Sequence, residues 1–122
     1  MRIQIEIIPH AQQHYETTGD WWWDPDDTLQ MRVSALADWR HSILVAVHEL
    51  VEALLCKAHG VTSEAVDAWD MGPGKELEEP GDDPRAPYHR EHEFASCVER
   101  LLAHEFDIEW NGYEDALGAL YD

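Results

Sequence analysis

Basic residues are scarce in this chain. Its 122 residues include 8 Lys and Arg against 26 Asp and Glu, so the formal net charge is −18. A surface that negative repels phosphate groups, which argues against direct binding to nucleic acid or to an anionic membrane surface. Cations and basic proteins remain as candidate partners.

Cysteines and long hydrophobic runs are also few. Two cysteines, Cys56 and Cys97, do not make a disulfide framework, and both fall in predicted helices. We therefore expect free thiols and a reducing, cytoplasmic location. The longest apolar run, from Ile43 to Val47, is far too short to span a bilayer, and the N-terminal residues lack the apolar core of a signal peptide.

Several catalytic signatures are absent from the sequence. It has no glycine-rich phosphate loop, no Gly-x-Ser-x-Gly turn and no Cys-x-x-Cys pair. What the sequence does contain is 44% hydrophobic residues, enough for one compact core. The length predicts a single domain over residues 1–122.

The first third of the chain has the pattern of strands. Residues 2–8 alternate between polar side chains and isoleucines, which predicts a half-buried strand. Residues 21–23 and 28–33 flank Asp24-Pro25-Asp26-Asp27, a sequence typical of a turn. We expect the N-terminal strand and this hairpin to form a small antiparallel sheet.

The hydrophobic period changes to that of helices after Ser34. Two long and two short helices are predicted, at residues 39–59, 63–70, 87–106 and 113–120, with Pro87 in the first turn of the third. Residues 71–87 are rich in proline, glycine and acidic side chains, which predicts a long surface loop. The fold class is therefore α+β, with the small antiparallel sheet packed against the helices.

The first long helix contains the sequence His48-Glu49-x-x-Glu52. At helical spacing His48 and Glu52 stand one turn apart, at the edge of the apolar stripe, so both can contact one metal ion. Imidazole nitrogen and carboxylate oxygen are both ligands of zinc. Glu49 lies further round the helix than His48 and Glu52, so it is not a ligand in this arrangement and could act as a general base toward metal-bound water.

These residues resemble the active-site helix of zincin metallopeptidases, whose pattern is His-Glu-x-x-His. The resemblance implies that His48 is a zinc ligand and Glu49 the general base, and thus a metal-dependent hydrolase of metallopeptidase type. The sequence departs from the family at Glu52, where the family has its second histidine. The whole chain is also similar to small proteins common in phage and actinobacterial genomes, a likeness that implies no activity.

A zinc site requires at least one further protein ligand. If the second long helix packs antiparallel to the first, its N-terminal turn can reach His48. We expect His92 first, then Glu91, then His89, as the additional ligand. Asp67, on the short helix, is a fourth candidate.

Two alternatives remain open at this stage. Glu49-x-x-Glu52 followed by Glu64-x-x-Asp67 is similar to the magnesium-binding pattern of MazG-type nucleotide pyrophosphohydrolases, which implies Mg²⁺ or Mn²⁺ instead of zinc. The other alternative is a non-catalytic acidic interaction protein that mimics nucleic acid.

The run Trp21-Trp22-Trp23 predicts a homodimer or partner surface, because a strand places the ring of Trp22 on the face opposite to the other two rings.

Overall fold

The computed structural model describes residues 1–121 and has a small α+β fold. Within these residues, three strands form one sheet and four α-helices follow. The strands are β1 (Arg2–Ile8), β2 (Gly19–Trp23) and β3 (Thr28–Ser34). The helices are α1 (Trp39–His59), α2 (Ser63–Asp70), α3 (His89–Glu105) and α4 (Trp110–Ala119).

The prediction of an antiparallel sheet is correct for the hairpin and wrong for the first strand. β2 and β3 pair antiparallel, whereas β1 lies parallel to β3 on its other side, which gives the order β1-β3-β2. Residues 9–18 connect the two edge strands past the end of β3. There His10 Nδ1 and Gln13 Nε2 lie 2.8 and 3.1 Å from the Ser34 hydroxyl. An alternating pattern is the same for both strand directions, so the sequence could not distinguish them.

Local signals fix the ends of the first two helices. The Asp38 side chain accepts a hydrogen bond from the Arg40 amide and caps the start of α1. Gly60 ends the helix with a φ of 75°, in the left-handed region that favours glycine. The Thr62 hydroxyl caps α2. These bounds agree with the predicted ones, whereas α4 begins at Trp110, three residues earlier than predicted.

α1 and α3 pack antiparallel, which is the arrangement that brings the N-terminal turn of α3 to His48. His48 contacts Glu99, and His59 contacts Glu91, so residue numbers on α3 fall as those on α1 rise. α3 covers the side of α1 that carries His48 and Glu52. Both residues are therefore buried, although the sequence placed them at the edge of the apolar stripe.

The segment of residues 71–87 folds back toward α3. It contains a short 3-10 turn, Pro80–Asp82, whose Pro80 carbonyl accepts a hydrogen bond from Trp69 Nε1. Gly81 and Ala86 within the segment are buried. The segment predicted as a surface loop thus contributes buried residues beside α3. Among residues 1–121, no helix combines the length and the apolar character needed to cross a membrane.

Candidate metal centre

Three side chains from α1 and α3 converge on one point. His48 Nε2 lies 3.1 Å from His92 Nδ1 and 3.2 Å from Glu52 Oε2, and the last two atoms are 3.0 Å apart. Helical spacing aligns His48 with Glu52, and the antiparallel packing of α3 brings His92 to them. The result is a nearly equilateral triangle of donor atoms.

This triangle lies in the interior. The exposed fractions of His48, Glu52 and His92 are 8%, 4% and 7%. In the part of the chain that the structure describes, they are the one group of three potential ligands whose atoms all lie within 4.8 Å of one another. Buried polar atoms in such a cluster require a proton or a cation between them, because three lone pairs facing one another repel.

In each imidazole, the nitrogen that is not part of the triangle, here called the outer nitrogen, lies next to a further carboxylate. His48 Nδ1 lies 2.8 Å from Glu99 Oε1, and His92 Nε2 lies 3.1 Å from Asp82 Oδ1. Because an ionised carboxylate can only accept, these outer nitrogens carry the hydrogens. Once the proton that the cluster shares is displaced, the inner nitrogens can present lone pairs to the centre of the triangle. Carboxylates that orient metal-binding histidines in this way are a regular feature of metal sites.

The carboxylates are themselves held in place. Trp21 Nε1 donates to Glu52 Oε1 over 3.1 Å, and this leaves Oε2 for the triangle. The Tyr113 hydroxyl donates to Glu99 Oε2 over 2.5 Å. The sheet and α4 therefore both contribute to the geometry of a centre whose main atoms lie on α1 and α3.

The charges of the cluster favour a cation. Burial alone lowers the pKa of His48, but hydrogen bonds with Glu52 and Glu99 outweigh it and raise that pKa to about 11. Burial opposes ionisation of Glu52, yet hydrogen bonds from both histidines lower its pKa to about 2. Without a metal the cluster thus retains a proton beside an ionised carboxylate. A metal ion would take the place of that proton.

The distances suit a small transition-metal ion. Zinc bonds of about 2.0–2.1 Å at tetrahedral angles separate ligand atoms by about 3.3 Å. The three donor atoms would need to move apart by a few tenths of an ångström only. Two histidines with one carboxylate form a ligand set found in zinc enzymes and also in non-haem ferrous sites.

Glu49 lies beside this centre but faces the sheet. A Cβ atom added to Gly19 of β2 would lie 2.6 Å from Glu49 Cγ, so the Glu49 side chain packs directly on the glycine backbone. Burial, followed by the negative charge of Glu52, raises the pKa of Glu49 well above its ordinary value. The predicted general base is thus close to the cluster in an environment that favours its protonated form.

The structure does not bring every candidate ligand to the centre. Glu91 is buried but contacts His59 Nδ1 at 2.7 Å. His89 Nδ1 lies 2.9 Å from the Gly81 carbonyl oxygen. Asp67 lies in a separate cleft of about 430 Å³ between β2 and α2, which Asp20 also lines. Of the four additional candidates, His92 alone joins His48 and Glu52.

Sequence reasoning missed Glu99 and Asp82. Glu99 could have been found, because it lies seven residues after His92 and therefore on the same face of α3. Asp82 gave no signal, because it lies in the 3-10 turn, whose position depends on tertiary packing. Its side chain is 66% exposed, which marks the side of the cluster that faces solvent.

Comparisons with known proteins do not identify a relative. No protein-family model matches the chain, and the searches of curated proteins and of solved structures found no significant match either. The functional argument therefore depends on the site itself. Its geometry does not favour the magnesium alternative, because Glu52 is engaged with two histidines while Asp67 lies in the separate cleft. The nucleic-acid mimic stays a prediction.

Proposed function

We propose that this chain binds a divalent transition-metal ion through His48, Glu52 and His92, with zinc as the first expectation. The observation that carries the proposal is the convergence of three donor atoms within 3.0–3.2 Å of one another. The carboxylates that hold both outer imidazole nitrogens support it, because they fix the ring orientations before any ion arrives.

The ligand chemistry distinguishes among candidate ions. Two imidazoles favour Zn²⁺ or Fe²⁺, whereas Mg²⁺ prefers oxygen ligands and retains its waters. Titration of the metal-free protein with each ion, in competition with a chromophoric chelator, should therefore give tight binding of one Zn²⁺ or Fe²⁺ per chain. Mg²⁺ should compete weakly.

The matched variants are His92→Ala and His59→Ala. Loss of one of three ligands should weaken zinc binding by about 100-fold or more. His59 also pairs with a buried carboxylate, Glu91, but among residues 1–121 this pair is not part of a group of three potential ligands. Its variant should therefore bind zinc like the parent chain. If zinc binding is equally weak in the parent chain and in His92→Ala, the ion is held by the acidic surface and the proposal fails.

The proposal extends to metal-dependent hydrolysis with Glu49 as general base. Its support is the position of Glu49 beside His48 on α1, where burial and the negative charge of Glu52 raise the pKa of the Glu49 carboxyl group and make its carboxylate a stronger base. The zinc-loaded protein should cleave an unfolded protein such as casein. Glu49→Gln should abolish cleavage and retain zinc, and Glu64→Gln, on the exposed surface of α2, should leave both unchanged. Zinc binding without cleavage would contradict the proposed hydrolase activity but not the proposed metal binding.

A cytoplasmic location belongs to the same proposal. Cys56 is buried in α1, Cys97 is exposed on α3, and both are free thiols. An exposed free thiol is typical of a reducing compartment. A location in an oxidising compartment would be revealed by modification of Cys97 in protein isolated from its native source.

A further inference from the structure

The first strand carries an exposed apolar row. Ile3, Ile5 and Ile7 are 44%, 43% and 48% exposed. Their register partners on β3 are buried in the core, and these are Leu29, Met31 and Val33. Residues paired in register point to the same face of a sheet, so the isoleucines continue the apolar face that packs against α1. α1 packs mainly on β2 and β3, and the row on β1 extends beyond it.

The backbone of β1 also has an unpaired edge. The Arg2 amide donates to the Asp27 carbonyl, and the Ile8 carbonyl accepts from the Ala35 amide, so even-numbered residues direct their backbone groups to β3. In a parallel pair the odd-numbered residues then direct theirs outward. The N–H and C=O groups of the three isoleucines therefore face away from the sheet. Such an edge is a template for another strand.

The opposite face of β1 carries charges of both signs. Arg2 and Glu6 lie two residues on either side of Gln4. If two copies of this strand run antiparallel about a two-fold axis at Gln4, Arg2 lies opposite the partner's Glu6, and the reverse contact forms by symmetry. The pattern is thus complementary to itself in this one orientation.

We propose that two copies of the chain associate through β1, antiparallel about Gln4, and form a continuous six-stranded sheet. This register joins the outward backbone groups of Ile3 to those of the partner's Ile5, which makes a hydrogen-bonded pair. It also places Arg2 and the partner's Glu6 in a pair without backbone hydrogen bonds, where side chains approach most closely. The inference does not depend on the metal site.

A shift of the axis would lose the charge pairing. With the two-fold axis at Ile5, the outward backbone groups still match, but Arg2 faces the partner's Ile8 and Gln4 faces the partner's Glu6. Both charges then lack an opposite charge. The register at Gln4 is therefore favoured by the charges, while the apolar row and the open edge supply the contact area.

The net charge limits the strength of this dimer. Each chain carries −18, and the two copies repel each other. At physiological salt the screening length is about 8 Å, so this repulsion is weak beyond the contact itself. An interface made by one seven-residue strand from each chain is small, so we expect a dissociation constant in the micromolar range.

Sedimentation equilibrium at physiological salt tests the proposal. Across about 1 to 300 µM, the apparent mass should rise from 14.1 kDa toward twice that value. Arg2→Glu and Glu6→Arg should each weaken self-association about tenfold, because each places like charges opposite each other twice. An equimolar mixture of the two variants should restore the parent affinity, since opposite charges then face each other in the heterodimer. Glu105→Arg, on exposed α3, is the control and should leave association unchanged.

Other results would overturn the proposal. A mass of 14.1 kDa throughout the concentration range excludes the dimer, and an unchanged affinity in both charge variants places the interface elsewhere. Failure of the mixture to associate rejects the register. Glu6 neighbours Arg32 in the sheet, so far-UV circular dichroism must show that Glu6→Arg is folded. If Glu6→Arg is not folded, Ile5→Lys takes its place, because a lysine in the apolar row of an edge strand blocks pairing. Self-association of Ile5→Lys with the affinity of the parent chain would contradict the proposal.

Discussion

His48 Nδ1 lies 2.8 Å from Glu99 Oε1, although the two residues are 51 positions apart in the chain. The contact keeps a hydrogen on His48 Nδ1 and directs the Nε2 atom to Glu52 and His92. Glu99 therefore supports the candidate metal centre through His48 and does not belong to the triangle of donor atoms.

The first prediction concerns this contact. In Glu99→Gln the side-chain oxygen can still accept from His48 Nδ1, but the negative charge that makes the imidazole a stronger ligand is lost. We expect zinc affinity to fall by about 10- to 100-fold, the range for such outer partners. Competition titration measures it, with Glu105→Gln on the exposed side of α3 as control. Equal affinities in the two variants would show that Glu99 has no positioning role.

The second prediction concerns Gly81. A Cβ atom at this position would lie 2.5 Å from His92 Cγ, so Gly81→Ala must displace the imidazole or the turn. We expect weaker zinc binding and a loss of stability of about 1–3 kcal/mol from overpacking. Gly118→Ala is the control, because its Cβ atom would meet nothing within 4 Å and alanine favours a helix. Unaltered zinc binding in Gly81→Ala would mean that the turn does not support His92.

The third prediction concerns Trp21, which donates to Glu52 Oε1. Trp21→Phe retains an aromatic ring but leaves a buried carboxylate oxygen without its donor. We expect the metal-free variant to lose at least about 1–3 kcal/mol of unfolding free energy in urea titration. Trp39 is 65% exposed, so Trp39→Phe should change stability little. Similar small losses in both variants would argue against the importance of the indole hydrogen bond.

The fourth prediction is a pH dependence that arises at Asp70. Burial raises the pKa of Asp70 from 3.8 to about 6, even though the Tyr88 hydroxyl donates to it. Because the pKa is higher in the folded state, the contribution of Asp70 to stability is fully present below pH 3.8 and is lost as pH rises through about 6. The parent chain should therefore lose about 1–2 kcal/mol over this interval relative to Asp70→Asn.

Urea titrations from pH 4 to 7.5 measure the difference between the two chains. Asp115→Asn, on the exposed surface of α4, serves as control for the loss of one negative charge. If the difference between Asp70→Asn and the parent chain is constant over this range, Asp70 does not titrate as its burial implies.

Local periodicity was sufficient to predict part of the site. The pairing of His48 with Glu52 follows from the helical repeat alone, and the bounds of α1 follow from its apolar stripe and from Gly60. His92 was predicted from the assumption of antiparallel helices. That assumption depends on chain connectivity, and contacts between α1 and α3 confirm it.

The remaining features depend on contacts distant in sequence. The direction of β1 is set by residues 9–18, which pass the end of β3 at Ser34, and an alternating strand carries no information about it. Glu91 and His92 are adjacent, and the rotation of α3 decides which one meets His48. Asp82 reaches His92 because the 3-10 turn packs on α3, which no local pattern indicates.

The most direct test of the central claim is a crystal structure of the chain grown with zinc, with diffraction data collected on both sides of the zinc absorption edge. We predict one strong anomalous peak about 2.0–2.2 Å from His48 Nε2, His92 Nδ1 and Glu52 Oε2. Absence of a peak between these three atoms, with zinc found at surface carboxylates instead, would contradict the account.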